Sequence, residues 1–365
     1  MKKKILFLMH MPPPIHGAAI IGQYIHDSKL INETFKCAYF NLSASKHIGN
    51  IGKISLRKGY FFIRSVFTII KMVRKVKPDL CYLTPSAWDY GFYRDWAIMM
   101  ILKLMKANII VHFHNKGKES FESKWYNKIL YKSFFHHTKA IFISDNLSNE
   151  FKKYLCPSDI FICPNGIMLT QNPPINREIT NTPYSFLFLS NMIKTKGVYD
   201  LLEACSQVKE KGYDFQCIFI GNWGDISKQD FIDKVTNLKI NNHVTAIGPL
   251  YGNDKNKYLE KADAFIFPTY YETFGLVLLE AMEYKLPCIS TYEGSIPTII
   301  DNNQTGFLID KHNIEKLTEK MIWLINNPNE GIKMGQNGYN KLINQFTLDI
   351  FEKNILNILN SSLKK

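Results

Sequence analysis

Glu272 and Glu280 stand eight residues apart around the run Thr273-Phe274-Gly275-Leu276-Val277-Leu278-Leu279, with Ala281-Met282 following. Two carboxylates so placed suit an acid and a nucleophile, as in glycoside hydrolysis, or a grip on one ligand's hydroxyl groups. An ionised Glu among Leu, Val and Met costs several kcal/mol if buried without a partner, so something should meet Glu280. A solvated loop residue at 272 and an ordinary polar helix position at 280 fit the same spacing. Lys196, next to Gly197, and Lys194 lie in the segment Ser190–Gly197, where a Lys before a helix could meet a phosphate. The spacing is not that of a Walker P-loop. His112 and His114 close the apolar run at 108–113, and a structural role suits either imidazole equally well.

These residues depend on the elements that hold them. Ala264-Phe265-Ile266-Phe267-Pro268 reads as a short buried strand, and from about Gly275 the pattern turns helical. Strand, loop and helix N-terminus together offer unpaired N–H groups and the positive end of the helix dipole to an anion. Glu272 then lies in the loop and Glu280 in the helix. Further strands are expected at 4–9, 36–41, 79–84, 108–113 and 140–144, and again at 184–189, 215–221, 243–247, 286–290 and 306–309, with helix-length segments between. That alternation predicts doubly wound parallel α/β sheets, whose ligands bind beyond the carboxyl ends of the strands. After the first strand, Pro12-Pro13-Pro14 and Gly17-Ala18-Ala19 form a turn with small residues that admit a ligand to the backbone, before a helix from Ile20. The Rossmann dinucleotide fingerprint is absent.

Asn172-Pro173-Pro174 and Thr180-Asn181-Thr182-Pro183 have linker composition. They divide the 365 residues into an N-terminal domain at 1–168 and a C-terminal domain at 175–345, with the last helix, about 346–365, rejoining the first. Seven scattered Cys without a CxxC pair suggest neither a disulfide framework nor a zinc site, and point to the reducing cytoplasm. The apolar start is too short for a signal peptide, and no apolar run reaches a membrane-spanning length. The net charge of +13 is concentrated in residues 1–168, which hold 25 Lys and Arg against 10 Asp and Glu. No acidic residue occurs between Glu33 and Asp79. Within that gap, segment 53–77 interleaves Lys53, Arg57, Lys58, Arg64, Lys71, Arg74, Lys75 and Lys77 with Tyr60, Phe61, Phe62 and Phe67. Such a basic amphipathic segment suits an anionic membrane surface, and equally a core helix with a basic outer face.

Taken in order, the Gly17 loop, His114, Pro164-Asn165-Gly166-Ile167, Lys196-Gly197, Glu272 to Glu280 around Phe274-Gly275-Leu276, and Gly306-Phe307-Leu308 resemble the retaining glycosyltransferases of family 4. That family has the GT-B fold: two Rossmann-like doubly wound domains facing a cleft. The resemblance implies an enzyme of hexosyltransferase type that takes a sugar from a nucleotide-sugar donor, a UDP- or GDP-sugar, to a glycan or lipid-linked acceptor in bacterial surface polysaccharide synthesis. It assigns catalytic roles to His114, Lys196 and Glu272. Donor contacts fall to Gly17, Asn191, Lys194, Pro249, Leu250, Phe274, Gly275, Leu276 and Glu280, with Glu280 on the ribose, Lys196 on the diphosphate and Pro249-Leu250 near the base. Asn191 stands where the family often has Arg, so that Lys194 becomes the candidate second phosphate cation. Neither a metal nor a further cofactor is implied, and no protein nucleophile is required. The enzyme would be cytoplasmic, with 53–77 peripheral on the inner face of the membrane. A nucleotide-sugar epimerase of similar fold is the alternative. A non-catalytic nucleic-acid module is a weaker one, given the lack of a recognised nucleic-acid motif.

Overall fold

The computed structural model describes residues 1–13, 16–43, 56–170 and 183–363, with the side chains of 56–58 left aside. Lys53, Arg57 and Lys58 of the basic segment therefore lie outside the described side chains. The chain forms two compact units, Met1–Asn165 with Leu348–Lys365, and Gly166–Thr347.

The first unit runs β1 (Lys4–Met9), α1 (Gly17–Asp27), α2 (Lys29–Thr34), β2 (Lys36–Asn41), α3 (Leu56–Val76), β3 (Leu80–Leu83), α4 (Asp89–Leu104), β4 (Ile109–Phe113), α5 (Glu119–Glu122), α6 (Trp125–Phe135), β5 (Lys139–Phe142), α7 (Asp145–Asn149) and β6 (Ile160–Ile162). Its six strands are parallel, in the order β2-β1-β3-β4-β5-β6. β1, β3 and β4 are buried on both faces, as their continuous apolar runs require. One face carries α3, α4 and α6 over Leu6, Leu8, Leu83, Val111 and Phe113. The other carries α1 and α2 over Ile5, Phe7, Tyr82 and Ile110. Two local differences from the sequence reading arise. The helix after β1 starts at Gly17 rather than Ile20, because the His16 imidazole caps it by accepting from the Ala19 N–H. The edge strand β6 was not expected at all: it is three residues long and only half-buried.

The second unit runs β7 (Tyr184–Leu189), α8 (Val198–Glu210), β8 (Phe215–Ile220), α9 (Lys228–Asn237), β9 (Val244–Gly248), α10 (Gly252–Lys261), β10 (Ala264–Phe267), α11 (Leu276–Glu283), β11 (Cys288–Thr291), α12 (Ile296–Ile299), β12 (Gly306–Ile309), α13 (Ile314–Asn326) and α14 (Pro328–Gln345). Its six parallel strands are ordered β12-β11-β10-β7-β8-β9. The last helix, α15 (Leu348–Leu363), returns to the first unit and packs Phe351, Ile355 and Leu359 on the α1 side of its sheet. No helix among the described residues is long and apolar enough to cross a membrane.

Candidate active site

Both sheets reverse their strand order once, and the polar clusters lie at these reversals. In the second unit β7 leads outward to β8 and β9, while β10 leads the other way to β11 and β12. The loops after the neighbouring strands β7 and β10 must diverge there, which opens the crevice where α/β sheets bind ligands. The two loops are stitched together by the Thr195 carbonyl. It accepts from the Tyr270 N–H at 3.0 Å, the Tyr271 N–H at 3.3 Å and the Thr269 hydroxyl at 3.1 Å.

That stitching brings Lys196 to Glu272. The Lys196 ammonium donates to Glu272 Oε2 at 2.8 Å and to the Tyr271 carbonyl at 2.9 Å. Glu272 Oε1 turns back on its own loop, accepting from the Thr273 N–H at 2.8 Å and the Phe274 N–H at 3.4 Å. Both side chains keep about a fifth of their surface exposed, 19% and 21%, so the pair is fixed yet open to a ligand. Gly275, with φ of +93°, turns the chain into α11. Phe274 is buried against Phe346, so its side chain serves the core. Leu276 opens α11 half-buried.

Glu280 is only partly buried, with 29% of its side chain exposed, and its partner is Lys255 of α10, whose ammonium meets Oε2 at 2.8 Å. The unpartnered carboxylate feared from the sequence does not arise. Pro249 is exposed and Leu250 half-buried in the turn before α10. Next to them Tyr251 accepts from the Asn222 side-chain amide at 2.8 Å, and the same amide reaches Asn191 Oδ1 at 3.5 Å. Lys194 is exposed, its backbone N–H donating to Asp225 Oδ1 at 2.8 Å. The structure thus brings Lys196 to Glu272, and Asn191 to the turn holding Pro249 and Leu250, while it gives Lys194 and Phe274 no polar side-chain contact with these groups.

One residue of the cluster was missed. Glu293, 2% exposed, follows β11, accepts from the Glu272 N–H at 3.4 Å and pairs with Lys311. A lone Glu in a loop carries no sequence signal, although Gly294 beside it does. A Cβ at Gly294 would lie 2.3 Å from the Glu272 carbonyl, so this position lets the loops after β10 and β11 touch.

In the first unit the reversal falls between β1 and β3, and histidines collect there. The His10 backbone N–H donates to Thr84 Oγ1 at 3.1 Å, and His10 Nδ1 lies 3.2 Å from the same hydroxyl. Arg94 approaches His10 Nε2 at 3.3 Å. A guanidinium only donates, so Nε2 accepts and the proton of this neutral ring resides on Nδ1. Arg94 is itself held by the fully buried Asp95, at 2.7 and 3.0 Å. His112 points into the core and shares a 2.5 Å hydrogen bond with the Tyr82 hydroxyl, a structural role. His114 emerges past the end of β4, beside Asn165, and both its ring nitrogens are buried with no hydrogen-bond partner among the described residues. A buried imidazole with unmet hydrogen-bonding capacity is uncommon in a folded protein. Gly17 belongs to the first turn of α1, behind His16.

Burial depresses the basicity of all three histidines. His114 is lowered to about 3, chiefly by desolvation and then by His16, with Asn165 working the other way. His10 and His112 are also held well below the ordinary value, again first by burial. Each is neutral when folded but takes up a proton near pH 6.5 once unfolded. Their stabilising contribution is therefore complete above about pH 6.5 and declines as the pH falls towards the folded values, by up to about 1.4 kcal/mol per pH unit for each group. Denaturant unfolding should show a lower midpoint at pH 5 than at pH 7, and a His114→Gln variant a smaller decline between them.

Two doubly wound sheets, each with a polar cluster at its switch point, define a two-domain α/β protein of the GT-B fold. Residues 174–341, within the C-terminal unit, match the family model of glycosyl transferases group 1, which supports a glycosyltransferase. The chain is 26% identical over 318 residues to the capsular polysaccharide biosynthesis glycosyltransferase CapM of Staphylococcus aureus, covering 83% of this chain and 82% of that one. A glycosyltransferase structure from Rickettsia africae shares the fold with a TM-score of 0.75 at 19% identity, over 100% of this chain and 99% of the other. HepE of Anabaena, solved in complex with UDP, does so with a TM-score of 0.74 at 15% identity, over 98% and 100%.

Proposed function

We propose that the enzyme is a retaining hexosyltransferase of family 4 type, moving a sugar from a UDP- or GDP-sugar to a glycan or lipid-linked acceptor in surface polysaccharide synthesis at the cytoplasmic side of the membrane. The observation that carries this reading is the Lys196–Glu272 pair, anchored through Thr195 at the switch point with Glu280 on the helix that follows. Lys196 supplies positive charge to the departing diphosphate, an electrostatic role suited to a pre-positioned ammonium. Glu272 accepts from hydroxyls of the donor sugar. Glu280, oriented by Lys255, accepts from the ribose hydroxyls. The bond from the anomeric carbon to phosphate oxygen breaks while the acceptor oxygen bonds on the same face, and the acceptor's proton passes to the departing phosphate oxygen. His114, neutral and buried beside Asn165, offers a hydrogen bond on the acceptor-side unit. No metal or further cofactor enters this scheme. The similarity to CapM supports the surface-polysaccharide setting, and the UDP complex of HepE supports a nucleotide-sugar donor.

A thermal-shift screen of UDP, GDP and their sugars tests the donor, since a ligand that binds the native state raises its midpoint. One nucleotide series should stabilise the protein, and nuclear magnetic resonance of the product should show the donor's anomeric configuration retained. Formation of a new sugar nucleotide without acceptor would instead identify an epimerase. Glu280→Ala should weaken nucleoside diphosphate binding by roughly 10- to 100-fold, the value of charge-assisted hydrogen bonds to a ribose, measured by isothermal titration.

A further inference from the structure

Two protons at the switch point of the first unit are left over once its hydrogen bonds are assigned. Fully buried Asp95 accepts from Arg94 Nε at 2.7 Å, from Arg94 Nη2 at 3.0 Å and from the Ser86 N–H at 2.8 Å. The guanidinium, its charge balanced, donates onward to His10 Nε2 at 3.3 Å. The neutral His10 ring therefore carries its proton on Nδ1. That nitrogen faces Thr84 Oγ1 at 3.2 Å, and the His10 backbone N–H donates to the same oxygen at 3.1 Å. Thr84 thus receives in both contacts, and its own proton cannot go to His10. No other group among the described residues accepts that proton, although Thr84 is only 3% exposed. His16 follows the same logic. Burial lowers its basicity, and Nδ1 accepts from the Ala19 N–H at 3.3 Å, so the proton of the neutral ring resides on Nε2. No described residue receives that one either.

The backbone that carries these groups is pinned on both sides. Thr84 follows β3 directly, and the loop beyond it is held by the Ser86 contact with Asp95, by the Ala87 N–H donating to Asn115 Oδ1 at 3.1 Å, and by the Tyr131 hydroxyl on the Ala87 carbonyl. His10 follows β1 directly. The next residue, Met11, exchanges hydrogen bonds with the Asn41 side chain, 3.1 Å each way. A Cβ at Gly22 would lie 2.0 Å from the His10 carbonyl oxygen, so α1 presses against this turn and brings the His16 ring to 6.3 Å from that of His10. Both protons are therefore fixed where β1 and β3 part, the crevice in which such sheets take ligands.

We propose that Thr84 and His16 are specificity residues that donate hydrogen bonds to oxygens of the acceptor's terminal sugar, and that Asp95, Arg94 and His10 are positioning residues that keep the Thr84 proton turned towards it. A hydroxyl with both lone pairs engaged is an obligate donor, so it discriminates for a ligand oxygen and against a ligand N–H or O–H offered as donor. The cluster brings no unbalanced charge, since Arg94 is matched by Asp95 and the imidazoles are neutral. An uncharged sugar meets such a site without a counter-ion, whereas a phosphate or carboxylate would lose water and gain only neutral partners. The inference rests on the transferase reading and names what its acceptor side recognises.

Saturation-transfer titration of the full chain with the methyl glycosides of glucose, galactose and N-acetylglucosamine, and with glucose 1-phosphate, tests the assignment. At least one methyl glycoside should bind. Thr84→Val should weaken it about tenfold, the worth of one buried hydrogen bond, while Thr84→Ser, which keeps the donor, stays within about threefold of wild type. His16→Asn retains a side-chain cap for α1 but lacks the Nε2 proton, and should weaken binding by a similar factor. Nitrogen nuclear magnetic resonance of the histidines reads the positioning role directly. His10 should be the Nδ1–H tautomer in the wild type and lose that preference in Arg94→Leu combined with Asp95→Asn, a pair of changes that leaves no buried charge unmatched. In that background Thr84→Val should cost little more, since the two act through one proton. Glycoside binding that survives Thr84→Val, binding of none of the three glycosides, tighter Thr84-dependent binding of glucose 1-phosphate, or an Nε2–H tautomer at His10 would each overturn the proposal. Thermal shift with UDP and GDP separates the two readings: stabilisation that persists in every variant confines such a failure to the acceptor assignment, whereas stabilisation by neither nucleotide in the wild type would overturn the transferase reading and this inference with it.

Discussion

Replacing Lys196 by Ala is expected to lower kcat by roughly 100- to 1,000-fold, the usual cost of removing one preorganised charge from a developing anion, with the fold intact. The ammonium is held by the Tyr271 carbonyl and by Glu272, so in the proposed reaction it is in place before the leaving group gains charge. Loss of stability should be modest, about 1 kcal/mol, because both partners remain partly in water. Glu272 provides the internal comparison. Glu272→Gln keeps an acceptor for the Thr273 and Phe274 N–H groups and removes the charge opposite Lys196. Glu272→Ala removes both. If Glu272 acts chiefly by shaping its loop, the Gln variant retains most of the activity that the Ala variant loses; if its charge or its bonds to sugar matter, both fall together. Steady-state kinetics with thermal midpoints for all three variants decides this. Turnover of Lys196→Ala within threefold of wild type would remove Lys196 from the leaving-group role.

The parts of this site that could be read from the chain, and those that could not, differ for a physical reason. β1, β7 and β10 are buried on both faces, so their apolar runs mark them as parallel strands without knowledge of their neighbours. β6 is a short, half-buried edge with no such run. The turn at Gly275 and the helix after it follow from local pattern. By contrast, Lys196 and Glu272 are 76 positions apart, and their contact exists because β7 and β10 become neighbours at the reversal of strand order. Lys255 with Glu280 and Lys311 with Glu293 are of the same kind: neither lysine belongs to a local motif, and only the packing of α10 beside α11, or of the loop after β12 beside that after β11, reveals it. The charged spacing at 272 and 280 was therefore legible in the chain, whereas the counter-charges that meet these carboxylates required the topology.

Gly197→Ala is expected to destabilise the C-terminal unit by about 3 kcal/mol, and Gly212→Ala by only about 1 kcal/mol. The two glycines have nearly the same backbone conformation, φ of +77° and +80°, so a Cβ at either costs about 1–2 kcal/mol in a left-handed conformation. They differ in surroundings. A Cβ at Gly197 would lie 2.1 Å from the Pro268 carbonyl oxygen, whereas nothing stands within 4 Å of one at Gly212. The excess loss at 197 is thus the cost of forcing apart the loops after β7 and β10, within the usual range for overpacking. Those loops hold Lys196 and Glu272, so activity should fall further than stability. Native Gly197→Ala protein, assayed well below its midpoint, should have a kcat reduced at least about tenfold, because small displacements of a positioned group are costly, while Gly212→Ala is near wild type. Equal midpoints for the two variants would mean that the loop contact at Pro268 yields freely and that Gly197 serves only its backbone conformation.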